Sequence, residues 1–220
     1  MPPVKSAPSA LLKTSPRPKR ATKPTRSEKN DDVKRRLFSA AAKVVGRYGY
    51  AEASVARITE LAGVAQGTFY NHFGNRQELL EQLLPVIGQQ MVAFIQRKLD
   101  QSASELEKEQ TRFKAFFDFL LETPEFLRIL NEAEVYAPEG YQKHLDNIAT
   151  SYVRTLKRGR GAGGVGDFTD EELEVIVHIL MGARGYLSRR YAYGEAGAQP
   201  VPDHVQSAYM KLIANGLIGR

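Results

Sequence analysis

The sequence predicts an all-α protein of about nine helices. Apolar residues recur at intervals of three and four along most of the chain, and the strict alternation of a half-buried strand is nearly absent. Residues that cap helices stand where several of these apolar stripes begin, and glycine or proline stands where others end. We therefore expect helices packed on helices and no sheet.

The composition limits the classes of protein that the chain can represent. Its 220 residues include no cysteine, which excludes disulfides, thiolate metal sites and cysteine nucleophiles. No apolar run approaches the roughly 18 residues that a membrane-spanning helix needs. We predict a cytoplasmic protein that makes no membrane contact.

The net charge of +6 is concentrated at the amino terminus. Residues 1–30 contain eight lysines and arginines and one acid, so this segment carries +7 and the rest of the chain −1. The segment is also rich in proline and poor in large apolar residues, which predicts a disordered basic tail. Three roles stay open for it: an arm that binds DNA phosphates, a solubilising extension and an organellar transit peptide.

Residues 31–78 predict three helices that form one small domain. The first begins at a pair of acids, carries a single apolar face and ends at Gly49. The second covers 54–62, with Ser54 as its N-cap and Leu61 among its buried residues. The third is short and covers 66–73.

Residues 79–220 predict a second, larger helical domain. Pro85 should kink the long helix that enters it, and Pro85 and Gly88 are candidate points of flexure. Residues 159–166 (GRGAGGVG) predict a flexible linker. The helix after Thr169 is apolar on nearly all sides, and the last helix carries a complete apolar stripe. We expect these two helices to form a four-helix interface with a second copy of the chain.

The segment from Ser54 to Leu80 has the form of a helix-turn-helix. One helix ends in alanine and glycine, a tight turn follows, and the next helix is short enough to lie in the major groove of DNA. Phe69 and Phe73 should face the core. Five residues around them carry groups that can bond to base edges or phosphates: Gln66, Thr68, Tyr70, Asn71 and His72.

In this segment the sequence resembles the TetR family of transcriptional regulators. The matching features are Ala62-Gly63-Val64, Gly67-Thr68-Phe69-Tyr70, His72-Phe73 and the opening of the next helix from Asn75 to Leu80. The resemblance in motifs covers roughly residues 33–83. Beyond it, the chain is similar to the family only in the number and length of its helices.

The resemblance implies DNA contacts residue by residue. The recognition-helix positions that touch DNA in the family are occupied here by Gln66, Gly67, Thr68, Tyr70 and Asn71. His72 falls on a phosphate-contacting position, and Arg76 on a basic position that holds the DNA backbone. Ser54 and Arg57 fall where the family often makes further contacts. Ala65 departs from the family pattern, because a capping serine is common there and alanine cannot cap a helix.

The resemblance also implies three partners: operator DNA, a second copy of the chain and a small-molecule effector in the C-terminal domain. A pocket among bundle helices would be mostly apolar, with a few polar anchors. The candidate ligand-binding residues are Phe117, Asn131, Glu132, Tyr152, His178 and Arg184. Arg184, Arg189 and Arg190 would suit an anionic effector such as an aromatic acid or an acyl thioester, and an apolar, drug-like effector stays open.

These observations predict a ligand-responsive repressor that leaves a palindromic operator when a small molecule binds. Activation instead of repression stays open, as does a helical ligand-binding protein whose helix-turn-helix is vestigial. An enzyme is not expected, because the sequence has no nucleophile elbow, phosphate loop or dinucleotide fingerprint. The four histidines form no metal-spaced pair, so no metal and no cofactor are expected.

Overall fold

The computed structural model describes residues 25–194 and 197–216, and the all-α class predicted from the sequence is confirmed there. Nine helices lie within this part of the chain: α1 Arg26–Tyr48, α2 Val55–Ala62, α3 Gln66–Tyr70, α4 Arg76–Lys98, α5 Glu105–Glu122, α6 Phe126–Tyr136, α7 Pro138–Gly161, α8 Asp170–Tyr191 and α9 Asp203–Gly216. Two short strands, β1 Tyr193–Gly194 and β2 Gly197–Ala198, precede α9. Among the described residues, no helix is both long enough and apolar enough to cross a membrane.

Helix α1 begins earlier than the sequence analysis expected. The side chain of Thr25 accepts a hydrogen bond from the backbone N–H of Glu28 at 3.2 Å, and the Glu28 carboxylate accepts one from the Thr25 N–H at 2.6 Å. This capping box satisfies the first donors of the helix. Residues 26–30 are therefore helical, and a disordered tail that reaches residue 30 was wrong for them. Residues 1–24 lie outside the described residues, so the tail remains a prediction there.

Local signals at the helix ends match the sequence analysis closely. Gly49 follows α1 with φ at +85°, a value that favours glycine. Ser54 caps α2, and Ala65 precedes α3 without a capping hydrogen bond from its side chain. Helix α3 ends at Tyr70, three residues earlier than predicted, and its last turn continues as an irregular loop.

The expectation of no sheet was wrong between α8 and α9. Tyr193 pairs with Ala198 and Gly194 with Gly197 in an antiparallel ladder. A ladder of two residue pairs is too short to show alternation in the sequence. The predicted linker is also shorter than expected, because residues 159–161 continue α7.

Three phenylalanines pack together in a core formed by the N-terminal helices. The ring centroid of Phe73 lies 5.5 Å from that of Phe38 and 5.4 Å from that of Phe69. All three rings are buried, which confirms Phe69 and Phe73 as core residues. Leu61, which was expected in this core, is exposed, because the inner face of α2 is formed by Ile58 and the small residues beside it.

Helix α4 extends from the N-terminal helices into the C-terminal bundle, where α7 packs along it. Pro85 lies inside α4 without ending it. A Cβ atom at Gly88 would overlap the imidazole of His144, and a Cβ at Gly140 would overlap the backbone of α4. Close packing against α7 therefore accounts for glycine at position 88.

Candidate nucleic-acid interface and cavity

The turn between α2 and α3 is held by the left-handed glycine that ends α2 and by an arginine of α1. Gly63 has φ at +64°, and the N–H of Val64 donates to the Thr59 carbonyl at 3.0 Å. The Arg36 guanidinium donates to the carbonyl of Gly63 at 2.9 Å and to that of Ala62. These bonds fix the angle at which α3 leaves α2. Sequence reasoning did not identify Arg36, because its acceptors are backbone atoms far along the chain.

Helix α3 is anchored by one side and open on the other. Phe69 is fully buried, whereas Tyr70 is 57% exposed and Gln66 and Asn71 are exposed beside it. A Cβ atom at Gly67 would meet nothing within 4 Å. The helix therefore presents amide and hydroxyl groups, with an uncovered stretch of backbone between them, on an accessible face.

The remaining residues predicted to contact DNA surround α3. Thr68 and His72 are half-buried, and Ser54 is exposed while its hydroxyl accepts the N–H of Arg57 at 3.3 Å. Arg57 is exposed, pairs with Glu52 at 3.0 Å and lies over the ring of Tyr48. Eight of the nine predicted residues, Arg76 being the exception, thus lie on α3, at the start of α2 or in the turn after α3.

Arg76 has a different position from its predicted neighbours. Its Nε donates to the carbonyl of Ala53 at 2.7 Å, and its Nη2 donates to the carbonyls of Ala51, at 3.2 Å, and Tyr50. The guanidinium therefore holds the loop between α1 and α2 against the start of α4. This geometry makes Arg76 a residue that positions the helix-turn-helix.

A cavity of about 380 Å³ lies in the C-terminal bundle, between helices α4 to α8. Most of its wall is apolar, and the apolar lining includes Met91, Ile95, Phe116, Leu145, Ile148 and Met181. Four of the six predicted ligand-binding residues line it: Asn131, Tyr152, His178 and Arg184. A volume of this size is within the range of small-molecule sites.

The structure places the other two candidates outside the cavity. Phe117 is buried in the core, with its ring 4.8 Å from that of Phe113. Glu132 accepts the backbone N–H of Tyr50 at 2.8 Å and pairs with Arg128 at 2.6 Å. Adjacent helical residues differ in direction by about 100°. Asn131 therefore lines the cavity while Glu132 joins the bundle to the N-terminal helices.

One end of the cavity, here called the floor, is built on a buried carboxylate, Glu109, which is 2% exposed. Its Oε1 accepts from the hydroxyl of Tyr209 at 2.7 Å and from Arg184, and its Oε2 accepts from the hydroxyl of Tyr152 and lies 3.5 Å from Arg112. Burial would raise the pKa of Glu109, but Arg184, the two tyrosine hydroxyls and Arg112 together lower it below its usual value. Glu109 is therefore ionised.

Sequence reasoning missed Glu109, Arg112 and Tyr209 as members of this cluster. A signal was present, because Glu109 and Arg112 occupy the apolar face that Phe113, Phe116 and Leu120 define along α5. Charged residues on a buried helix face require partners. Those partners come from α7, α8 and α9, up to 100 residues away in the chain, and no local pattern identifies them.

His144 lines the same cavity from α7 and carries no charge near neutral pH. Burial lowers its pKa from 6.5 to about 4. Its ring lies 6.1 Å from that of Phe126, in an edge-to-face arrangement, and against Gly88 of α4. The imidazole therefore acts as a neutral part of the wall.

Two helices, α4 and α6, line the cavity and also contact the N-terminal helices. Helix α4 begins beside α3 and lines the cavity further along, at Met91 and Ile95. Helix α6 lines it with Leu130, while Arg128 on another face donates to the carbonyl of Arg47, at the end of α1, at 3.0 Å. The cavity is thus connected to the N-terminal helices through both α4 and α6.

A short helix with an exposed polar face, preceded by a turn that Arg36 holds, is the geometry of a helix-turn-helix. Residues 37–83 match the family described as bacterial regulatory proteins, tetR family. Within residues 37–83, this chain therefore carries the sequence pattern of the TetR family.

Two relatives and one solved structure illustrate the similarity. An HTH-type transcriptional regulator of Haemophilus influenzae is 30% identical over 103 residues, which cover 47% of this chain and just over half, 55%, of that protein. The HTH-type transcriptional repressor AcnR of Corynebacterium jeikeium is 28% identical over 178 residues, 78% of this chain and 89% of that one. The fatty acid degradation regulator FadR of Bacillus halodurans superposes with a TM-score of 0.69 at 19% identity, covering 86% and 97% of the two chains, which shows a common fold alone.

Proposed function

We propose that the protein is a cytoplasmic repressor that binds palindromic operator DNA as a homodimer and leaves it when a small molecule fills the cavity. The exposed polar face of α3, held behind a turn that Arg36 fixes, is the observation that carries this proposal. A helix presented in this way can enter the major groove with its side chains towards base edges.

The DNA contacts follow from the exposed face of the helix-turn-helix. Gln66, Thr68 and Asn71 carry groups that bond to base edges or phosphates, and Gly67 allows the DNA to approach the helix backbone. The hydroxyl of Tyr70 and the imidazole of His72 donate to phosphates. Ser54 and Arg57 extend this surface at the start of α2. Arg76 contributes chiefly by holding the loop before α2.

The homodimer is supported by exposed apolar residues on α8 and on α9. Val175, Ile179, Gly182 and Tyr186 are spaced by four, three and four residues, so they share one face of α8. Ile179 is 61% exposed in the single chain, and Leu212 of α9 is 71% exposed. Two such helix pairs related by a two-fold axis form a four-helix interface. The operator is then an inverted repeat with recognition helices on the order of 35 Å apart or more.

Release of DNA requires an effector that binds the DNA-incompetent form more tightly. Helices α4 and α6 both line the cavity and both contact the N-terminal helices, so their displacement by a ligand would change the spacing of the two α3 helices in the dimer. The ring of His144, on α7, packs so closely on α4 that a Cβ atom at Gly88 would overlap it. Its close packing leaves little room for α7 to move without α4.

Selection of bound duplexes from a randomised DNA library tests the DNA-binding part of the proposal, and an inverted repeat should be enriched. Tyr70→Phe should then weaken binding to the selected duplex roughly tenfold or more, because a hydrogen bond to a charged group contributes about 1.5–3 kcal/mol. Tyr136→Phe is the matched control, since it removes a hydroxyl from a side chain that is 44% exposed in the bundle. Failure to enrich any common sequence, or an equal loss in both variants, contradicts the proposal.

A further inference from the structure

The floor of the cavity presents more positive than negative charge. Arg112 and Arg184 both line the cavity, whereas the carboxylate that they share, Glu109, does not. Glu105, also on α5, pairs with Lys108 at 2.9 Å through Oε1, and its buried Oε2 lies 3.8 Å from Arg112. Lys108, Arg112 and Arg184 are thus linked to Glu105 and Glu109, and three cations with two carboxylates leave the floor with a net charge of +1.

The floor also has more hydrogen-bond donors than acceptors. Both oxygens of Glu109 are already engaged, each by one tyrosine hydroxyl and one arginine. The Nε of Arg184 is buried and donates to no acceptor within the described part of the chain. Arg112 reaches Glu109 only at 3.5 Å. Because a guanidinium carries five donors, both arginines have bonding capacity left for an additional acceptor.

Among the described residues that line the cavity, no buried carboxylate balances the positive charge of the floor. His144 is neutral, since burial lowers its pKa to about 4. Glu134 and Arg189 also line the cavity but are exposed at the surface, so this outer end, here called the mouth, carries one charge of each sign. A buried charge without a partner is costly, and a ligand that brings one negative charge to the floor would relieve that cost.

We propose that the effector is an amphipathic carboxylate: a single carboxylate group that binds at Arg112 and Arg184, on an apolar body that fills the wall of the cavity. This inference rests on the proposed role of the cavity as the effector site. A planar carboxylate matches the forked geometry of a guanidinium. A coenzyme A thioester fits less well, because its thioester carbonyl is uncharged and brings no negative charge to the floor. The mouth carries one charge of each sign, so it has no net positive charge to bind the phosphates of coenzyme A.

Calorimetry on the full chain with matched probes tests the ligand class. Octanoate and phenylbutanoate are compared with octanol and phenylbutanol, which have the same apolar bodies without the charge, and with octanoyl coenzyme A. At least one carboxylate should bind roughly tenfold or more tightly than its own alcohol, the effect of a hydrogen bond to a charged group. Octanoate should also bind more tightly than octanoyl coenzyme A. The proposal is overturned if neither carboxylate is preferred over its alcohol, or if the thioester binds more tightly than the acid.

Three substitutions test whether the floor is the cause of the preference, measured in each variant as the ratio of carboxylate to alcohol affinity. Arg112→Gln removes the excess charge, so the ratio should fall towards one, and Arg112→Lys should restore part of it. Glu109→Gln raises the charge of the floor and should increase the ratio. Arg97→Gln is the control, because it removes an exposed arginine of α4 that does not line the cavity. A ratio that Arg112→Gln leaves unchanged overturns the assignment, even if Glu109→Gln does not fold.

Binding and DNA release are measured separately so that the two proposals can fail independently. A carboxylate that binds selectively but does not displace the selected duplex supports the ligand class and contradicts ligand-responsive release. Displacement of the duplex by the alcohol as readily as by the acid supports release and overturns the ligand class.

Discussion

The N-terminal helices and the C-terminal bundle are held in place by different kinds of contact. In the helix-turn-helix, Arg36 and Arg76 donate to backbone carbonyls of nearby loops. In the bundle, a buried carboxylate collects side chains from three other helices, with Tyr209 lying 100 residues from Glu109. Bonds to the backbone hold a rigid shape that does not depend on the identity of neighbouring side chains. A buried ionic cluster beside a cavity can instead respond to what enters it.

The largest predicted effect is on the bundle, where two substitutions should abolish the dimer while both regions of the chain stay folded. Ile179→Glu combined with Leu212→Glu places like charges at the proposed interface, where their juxtaposition costs several kcal/mol. The variant should sediment as a monomer at micromolar concentration. Val135→Glu is the control, because Val135 is an apolar side chain on α6 that is also strongly exposed, at 74%. A double variant that remains dimeric would contradict the proposed interface.

The connection between the two regions can be broken at Glu132. Glu132→Ala leaves the buried N–H of Tyr50 without its acceptor and Arg128 without its partner, at a cost of roughly 1–3 kcal/mol in the free energy of unfolding. Glu134→Ala changes an exposed carboxylate on the same helix and should cost less than about 0.5 kcal/mol. Urea denaturation of both variants measures the difference. Similar values would show that Glu132 has no special role in the contact.

The bundle should also be the region that makes stability depend on mildly acidic pH. His144 has a pKa of about 4 in the folded chain and 6.5 as its usual value, so the unfolded chain binds more protons between these values. Stability from this group is complete above about pH 6.5 and is lost as the pH falls towards 4. Between pH 7 and pH 5, the free energy of unfolding should fall by about 2 kcal/mol more in the unsubstituted chain than in the His144→Gln variant. His204→Gln, at an exposed histidine of α9, is the control, and equal pH dependence in all three chains would contradict the assignment.

The smallest effect concerns the surface of α3, and it should have opposite signs for stability and for DNA binding. Gly67→Ala should stabilise the helix by at most about 1 kcal/mol, because alanine has the higher helix propensity and its Cβ meets nothing within 4 Å. The added methyl group lies on the face proposed to approach DNA, so affinity for the selected duplex should fall. Gly161→Ala, another helical glycine with open space around it, should not change DNA binding. Unchanged affinity in Gly67→Ala would place the DNA elsewhere.

Much of the helix-turn-helix was predictable because its signals are local. Ser54 and Gly49 mark helix ends through bonds and dihedral angles that involve only neighbouring residues. The buried positions of Phe69 and Phe73 follow from their spacing relative to the short turn. The position of Arg76 did not follow, because its three carbonyl acceptors become neighbours only when α4 packs against the loop before α2.

In the bundle, the sequence by itself determined the helices and the apolar faces that make a cavity possible, since helical periodicity is a local property. Only the tertiary structure decided which polar residues face that cavity. Asn131 and Glu132 are adjacent in the chain, yet one lines the cavity and the other bonds to Tyr50, because helix rotation and packing set the direction of each side chain. The charge of the floor was decided in the same way, since Glu109 and Arg184 are 75 residues apart and become a pair only when α5 and α8 pack together.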